Sequence, residues 1–153
     1  MEKNLNTKDI QKTVKYYYGD IARNFRPGIK AGCGCDPRIN NCCVTDWDNP
    51  VKIGTDSYQA GQLLALPLEI RDLSLGCGDP VTIASLKEGQ TVLDLGSGGG
   101  IDCFLAASKV GSSGKVIGLD MTSAMVKQAQ ANKAKLGVDN VAFRIGEIEN
   151  LPF

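Results

Sequence analysis

The spacing of apolar and polar residues changes along the chain. From Thr7 to about Ala22 apolar residues recur near helical spacing, which predicts an amphipathic helix with an apolar face of Ile10, Val14, Tyr17 or Tyr18, and Ile21. The pattern is lost from Phe25 to Thr55, where Gly, Pro, Asn and Asp are frequent, so a long loop is predicted there. A second helix is predicted from Ser57 to about Leu66, ending at Pro67.

From Asp79 onward the pattern becomes regular. Asp79 is predicted to cap a short helix that has Pro80 at its first position and Gly89 just past its end. Strands are then predicted to alternate with helices, in the order Thr91–Leu95, helix Ile101–Val110, Lys115–Asp120, helix Ser123–Leu136 with Thr122 and Gly137 as its caps, and Asn140–Ile145. This alternation predicts an α/β fold with a parallel sheet.

Composition narrows the classes of function. With 153 residues, 42% of them hydrophobic, the chain fits about one domain with a core. Lys+Arg and Asp+Glu are both 17, which argues against a nucleic-acid or polybasic membrane surface. The N-terminus has no apolar signal region and no stretch approaches a membrane span, so a soluble cytoplasmic protein is expected. There is no histidine, which removes Ser-His and Cys-His nucleophiles and imidazole metal sites.

A glycine-rich loop follows the first strand of the regular region. Gly96, Ser97, Gly98, Gly99 and Gly100 end that strand and open a helix. Glycine lets a backbone turn sharply and approach a ligand closely, and the helix start beyond it presents free N–H groups. Asp120 ends the next strand and is placed to accept hydrogen bonds from ribose hydroxyls. These features predict a ribose-containing cofactor.

The acid before the loop indicates which cofactor. The dinucleotide fingerprint G-x-G-x-x-G fails here, because Ile101 stands where its third glycine is required. Asp94 lies two residues before the first glycine, where a carboxylate would repel a pyrophosphate and attract a cationic amino group. S-adenosylmethionine has an α-ammonium and no phosphate, so it is the predicted cofactor.

Three segments together resemble class I S-adenosylmethionine-dependent methyltransferases over about Glu88–Phe153. Besides the two acid-flanked strand ends, the third segment, from Phe143 to Phe153, resembles the stretch that cradles adenine. The resemblance implies that Glu147 accepts a hydrogen bond from the adenine amino group and that the Ile148 N–H meets a ring nitrogen. It implies a Rossmann-like fold whose cofactor side is Asp94, Gly96, Ser97, Gly98, Gly100, Asp120, Met121, Glu147 and Ile148.

A narrower resemblance, to arsenite methyltransferases, is strongest from Ser74 to Phe153. It is carried by SLGCGDP around Cys77 and by LDLGSGGGID, GLDMT and GEIENLP. Upstream, the stretch from Tyr16 to Gly19 and the tandem Cys42-Cys43 resemble the N-terminal pattern of that family. The implied reaction is methyl transfer to thiolate-bound arsenite, presented as a thiol adduct, with a thiol reductant as a further partner. Thiolates suit soft As(III) and leave its lone pair free to take the methyl group.

The six cysteines divide by expected role. The resemblance implies that Cys77 is an arsenic ligand or redox thiol and that Cys42 or Cys43 is an upstream redox cysteine. Cys33 and Cys35 have no counterpart in the family; with the tandem pair they could bind zinc or another soft cation. Cys103 is expected to be a packed core cysteine rather than a redox partner.

The chain also departs from the family. Two further arsenic-binding cysteines and the remaining strands of the seven-stranded sheet would lie beyond Phe153, so only strands 3-2-1 are expected and strand 1 becomes an exposed edge that could self-associate. A fragment with weak or no activity is therefore expected, with a helix and cysteine loop at 1–73 and the first half of the methyltransferase domain at 74–153. The alternatives are a small-molecule C- or O-methyltransferase and a non-enzymatic soft-metal-binding module.

Overall fold

A computed structural model describes residues 6–25, 66–71 and 79–152. Its elements, in chain order, are α1 (Thr7–Asn24), α2 (Leu68–Arg71), α3 (Pro80–Ile83), β1 (Thr91–Leu95), α4 (Ile101–Val110), β2 (Lys115–Asp120), α5 (Ser123–Leu136) and β3 (Val141–Ile145). Apart from their terminal residues Phe25 and Leu66, the predicted long loop and the helix predicted after it lie outside the described residues.

The three strands form one parallel sheet in the order β1-β2-β3. Helix α4 connects β1 to β2 and α5 connects β2 to β3, so two βαβ units share the central strand. Asp94 pairs in register with Gly118, two residues before Asp120. The predicted α/β fold with a short parallel sheet is confirmed, and its two acids lie at the same edge.

Helix α4 supplies most of the core between the sheet and α3. It is buried on nearly all sides because seven of its ten residues are apolar and covered, namely Ile101, Cys103, Phe104, Leu105, Ala106, Ala107 and Val110. The Phe104 ring meets Phe143 of β3 edge to face at 5.6 Å. Gly118 of β2 makes room for this packing, since a Cβ there would lie 2.6 Å from Phe143 and 2.8 Å from the Cys103 sulfur.

The outer edge of β1 is exposed. Among the described residues β1 pairs with β2 alone, and Leu93 and Leu95 are 41% and 47% exposed. The expectation that strand 1 forms an open edge is therefore met in the described part of the chain.

Helix α1 begins where the pattern predicts and continues two residues further, to Asn24. The Asn6 side chain caps it by accepting a hydrogen bond from the Lys8 N–H. Its predicted apolar face is only partly covered, because Ile10 remains 48% exposed and Gly19 is its one buried residue. The helix packs against α5. No helix in the described ranges is both long and apolar enough to cross a membrane.

The helix after Asp79 is shorter than predicted. Asp79 caps it as expected, with Oδ1 accepting a 3.0 Å hydrogen bond from the Thr82 N–H. The prediction that it continues to Gly89 is wrong, since α3 ends at Ile83. Ser85 has a φ of +49°, which takes the chain out of the helical region after one turn. The single turn of α2 was not predicted.

The third strand begins at Val141, one residue later than predicted. The Asn140 side chain turns away from the sheet, and its Nδ2 donates to the carbonyls of Ala107 at 3.2 Å and Gly111 at 2.8 Å. Each carbonyl gains a second partner in this way, because the Ala107 carbonyl also accepts a 3.1 Å bond from the Gly111 N–H and the Gly111 carbonyl one of 3.1 Å from the Gly114 N–H.

Candidate functional site

A cavity of about 340 Å³ opens at the carboxyl edge of the sheet. This is the edge where open parallel sheets bind ligands. The loop after β1, the end of β2, the start of α5 and one face of α1 line it, through Val14, Tyr18, Gly96, Ser97, Gly98, Gly99, Ile101, Asp102, Leu119, Asp120, Met121, Thr122, Met125, Gly146 and Ile148. Six predicted cofactor residues are thus brought together: Gly96, Ser97, Gly98, Asp120, Met121 and Ile148.

The glycine loop, Gly96–Gly100, is held by hydrogen bonds to β2. The N–H groups of Gly96 and Ser97 both donate to the Leu119 carbonyl, at 2.8 and 3.0 Å. Gly96 and Gly98 have φ angles of +81° and +50°, and a Cβ at either would have no atom within 4 Å. The loop therefore presents bare backbone to open space, which is the geometry for close approach of a ligand.

Ser97 has a hydroxyl without a partner. The residue is 6% exposed, and its Oγ makes no hydrogen bond within the described part of the chain. Buried polar atoms are nearly always paired, so such a hydroxyl in a cavity wall indicates a polar group on the occupant.

Asp120 ties the glycine loop to the start of α5. Its Oδ2 accepts a 3.0 Å hydrogen bond from the Gly98 N–H, and its Oδ1 accepts one of 2.7 Å from the Thr122 N–H. Thr122 occupies the predicted N-cap position, but its side chain makes no capping bond. Each carboxylate oxygen can accept a second bond, so Asp120 is still able to take hydroxyl donors from the cavity.

Asp94 is half-buried and lies outside the cavity wall. Its Oδ2 accepts a 3.2 Å hydrogen bond from the Cys103 thiol. Burial raises the pKa of Asp94 above its usual range; the thiol bond lowers it in part, and the charge of Asp120 raises it. A cationic partner stabilises the charged form of a carboxylate that has lost solvation in this way.

Two other predicted cofactor residues also lie outside the cavity wall. Glu147 Oε1 pairs with the Lys15 ammonium at 2.6 Å, which links the end of the sheet to α1. Gly100 has a φ of +91°, and a Cβ there would lie 2.6 Å from Phe143. Its role in this structure is to let the loop pack against that ring.

Most of the predicted thiol site lies outside the described residues. This holds for Cys42, Cys43 and Cys77, and for Cys33 and Cys35. Cys103 is described and is fully buried in the core, so the packed-core expectation is confirmed. The described ranges contain no group of three Cys, Asp or Glu side chains that could hold a metal ion.

Several cavity residues escaped the sequence interpretation. Val14 and Tyr18 bring α1 into the wall, and Met125 enters from α5. The run of tyrosines at 16–18 was a signal that α1 could contribute to the site, although the spacing of these residues did not show which part of the protein the helix would contact. Asp102, in the first turn of α4, was the one additional acid that its closeness to the loop could have indicated.

A wider hollow, of about 760 Å³, lies near the opposite edge of the sheet. It is formed by the ends of α4 and α5 and by the residues that precede β3, and includes Leu66, Leu136 and Asn140. It lies at the amino ends of the strands, away from the glycine loop and its acids, and none of the predicted site residues reaches it.

Comparison with known proteins finds similarity to methyltransferases. Residues 86–153 match a family model described as a methyltransferase domain. The chain is 58% identical over 145 residues to an arsenite methyltransferase of Halobacterium salinarum, covering 95% of this chain and 37% of that protein. It is 31% identical to human arsenite methyltransferase, over 96% of this chain and 36% of the relative. A crystal structure titled as an arsenic(III) S-adenosylmethionine methyltransferase from Chlamydomonas reinhardtii has a TM-score of 0.52 and 41% identity, covering 58% of this chain and 31% of that one.

The half-sheet and the acid-flanked glycine loop have the Rossmann-like fold of class I S-adenosylmethionine-dependent methyltransferases, and residues 86–153 are similar to a methyltransferase domain. In sequence, the chain is similar to arsenite methyltransferases over nearly all of its own length. It spans just over a third of the length of the curated relatives it matches, 37% for the relative from Halobacterium salinarum.

The residues present fit the cofactor of this class. The buried Ser97 hydroxyl has no hydrogen-bond partner in the described part of the chain, and the space over Gly96 and Gly98 admits a ligand close to the backbone. The acids at the cavity edge suit a ligand that is cationic and carries hydroxyl donors. S-adenosylmethionine has both properties.

Proposed function

We propose that this chain forms the cofactor-binding part of an enzyme that methylates arsenite. The observation that carries the proposal is the unpartnered, buried Ser97 hydroxyl in a glycine-walled cavity, beside acids at the ends of two parallel strands. A pyrophosphate would be repelled by those acids, whereas a cationic nucleoside would be attracted.

Each predicted cofactor residue has a defined task in this proposal. Asp120 accepts hydrogen bonds from the ribose hydroxyls, and Asp94 supplies negative charge for the amino-acid end. Glu147 and the Ile148 N–H recognise adenine. The backbone at Gly96 and Gly98, the Ser97 hydroxyl and Met121 shape the wall, and Gly100 supports the loop from behind. When bound, S-adenosylmethionine supplies a methyl group already activated on a sulfonium, so the chain needs no general base for the transfer.

The arsenic side of the proposal rests on thiols. Cys77, with Cys42 or Cys43, holds As(III) as thiolates, and a thiol reductant keeps these residues reduced in the cytoplasm. The sequence resemblance around Cys77 and the identity to arsenite methyltransferases support this assignment. The open edge of β1 supports self-association of residues 1–153 as part of the same proposal.

The cofactor assignment is tested by isothermal titration of residues 1–153 with S-adenosylmethionine, S-adenosylhomocysteine and NAD. We expect the first two to bind and NAD not to bind. Asp120→Ala should abolish binding of both, while Asp139→Ala, a change to an exposed acid away from the cavity, serves as the control. Binding of NAD alone, or no change in Asp120→Ala, would refute the proposed site. A lack of any thermal shift with S-adenosylmethionine would favour the non-enzymatic module.

The arsenite assignment is tested by alkylation and mass spectrometry. Arsenite should protect Cys77 and one of Cys42 and Cys43 from iodoacetamide in the reduced chain. In an enzyme extended to the full length of its relatives, Cys77→Ser should abolish arsenic methylation. Turnover of another acceptor that survives Cys77→Ser would instead indicate a C- or O-methyltransferase.

A further inference from the structure

Asn132 is a fully buried polar residue on α5 that contacts the glycine loop. It is 0% exposed, and its Nδ2 donates a 3.0 Å hydrogen bond to the Gly99 carbonyl. Its Oδ1 accepts a 3.2 Å bond from Gln128, one turn earlier on the same helix. The carbonyl partner requires the amide nitrogen and the Gln128 donor requires the oxygen, so both bonds agree on one orientation of the side chain.

The bond to Gly99 holds one end of a single peptide group. That group comprises the Gly99 carbonyl and the Gly100 N–H, and the N–H donates a 2.8 Å bond to the Ser97 carbonyl. Rotation of this peptide plane would break both bonds together. Glycine on either side makes such a rotation sterically easy, because glycine adopts positive and negative φ about equally.

We propose that Asn132 is a positioning residue for the glycine loop, which holds the Gly99–Gly100 peptide in its binding orientation before the cofactor arrives. This inference rests on the proposed function of the loop. Hydrogen bonds to β2 hold Gly96, Ser97 and Gly98, and the Gly100 carbonyl accepts a 3.0 Å bond from the Phe104 N–H. Without Asn132, the Gly99–Gly100 peptide itself would be held only by the Ser97–Gly100 turn. A ligand then meets a preformed surface and pays less ordering entropy.

A matched control distinguishes a general effect of Asn132 on stability from a specific effect on the glycine loop. Asn140 is a second asparagine whose side-chain amide donates hydrogen bonds to backbone carbonyls, those of Ala107 and Gly111 at the C-terminal end of α4. Leucine at either position removes the amide and keeps a similar volume. Both Asn132→Leu and Asn140→Leu should lower the free energy of unfolding, but only the first should change the loop.

The experiment uses residues 1–153 and two readouts, cofactor affinity by titration and amide hydrogen exchange by NMR. In Asn132→Leu we expect about fivefold to tenfold weaker binding of S-adenosylhomocysteine, and exchange at the Gly100 amide faster by a similar factor, as for loss of one buried hydrogen bond. Exchange in β1 and β2 should change no more than in Asn140→Leu. Gln128→Leu should give a smaller effect of the same kind.

The outcomes separate this inference from the proposed function. Unchanged affinity and Gly100 exchange in a folded Asn132→Leu, or equal changes in Asn140→Leu, would overturn the inference. If Asn132→Leu does not fold, Gln128→Leu decides by the same criteria. If the unmodified chain binds no cofactor, the proposed function fails, and the Gly100 exchange still decides whether Asn132 orders the loop.

Discussion

The thiol of Cys103 donates a hydrogen bond to the Oδ2 of Asp94, with the sulfur 3.2 Å from the oxygen. A neutral donor, rather than a cation, therefore contacts the carboxylate at the end of β1. Among the residues that the structure describes, no lysine or arginine forms an ion pair with Asp94. The proposed function makes this half-buried carboxylate the partner of the cationic end of the cofactor.

Asp94→Asn should flatten the pH dependence of stability. Because burial raises the pKa of Asp94 in the folded state, the folded protein binds more protons than the unfolded chain between the unfolded and folded values. The free energy of unfolding should fall as pH rises through that window and then level off. In urea titrations at a series of pH values, Asp94→Asn should lack this fall and be at least as stable as the parent at neutral pH. A loss of several degrees in Tm at neutral pH would contradict it.

The same substitution should weaken cofactor binding. Asparagine keeps the shape of the side chain and removes the charge, so affinity for S-adenosylmethionine should fall about tenfold or more at neutral pH. For the parent, affinity should rise with pH as Asp94 ionises, and this rise should be absent from Asp94→Asn. Equal pH profiles in titration calorimetry would show that Asp94 does not contact the cationic end.

Cys103 should resist alkylation in the folded protein. Its sulfur is fully buried. Burial raises the pKa of the thiol, and the nearby charge of Asp94 raises it further. The reactive thiolate is therefore both rare and inaccessible. Iodoacetamide followed by peptide mass spectrometry should leave Cys103 unmodified in buffer and fully modified in denaturant. Rapid labelling under native conditions would instead favour a redox role for this residue.

Substitution by alanine should have different effects on stability at Gly98 and at Gly100 of the glycine loop. At Gly100 the new Cβ would lie 2.6 Å from Phe143 in a backbone with positive φ, so Gly100→Ala should cost about 2–4 kcal/mol of stability. At Gly98 the Cβ would enter open space, so the cost should be about 1 kcal/mol, from the backbone alone. Gly98→Ala should instead weaken cofactor binding. Denaturant melts and titration calorimetry measure the two effects, and equal destabilisation would contradict this division.

The Lys15–Glu147 ion pair should contribute little to folding. Both side chains are about 40% exposed, so Lys15→Met should change the free energy of unfolding by less than about 1 kcal/mol, and less still at high salt. Glu147→Gln should weaken binding of S-adenosylhomocysteine more than Lys15→Met does, because the proposal gives the carboxylate a contact with adenine. If both variants bind as the parent does, Glu147 serves only to attach α1.

Local patterns were sufficient for the elements around the sheet. The three strands, both connecting helices and the Asp79 cap each depend on residues close in sequence, and they were predicted to within about a residue. The position of α1 beside the cavity was not accessible in this way, because the Lys15–Glu147 pair that attaches α1 to the end of the sheet joins residues 132 positions apart. The thiol partner of Asp94 was not predicted for another reason: Cys103 was expected to be a packed core cysteine, but the sequence could not show which strand residue it would contact.

The absence of a side chain at Gly118 limits how the core around β2 can be redesigned. A side chain there would collide with both Cys103 and Phe143, which come from different elements. The three positions therefore cannot be varied one at a time: enlarging residue 118 becomes tolerable only if the other two are made smaller in the same variant. Because the thiol at 103 also touches Asp94, such a repacking would reach the cofactor side, and mutational libraries should treat these four positions as one coupled unit.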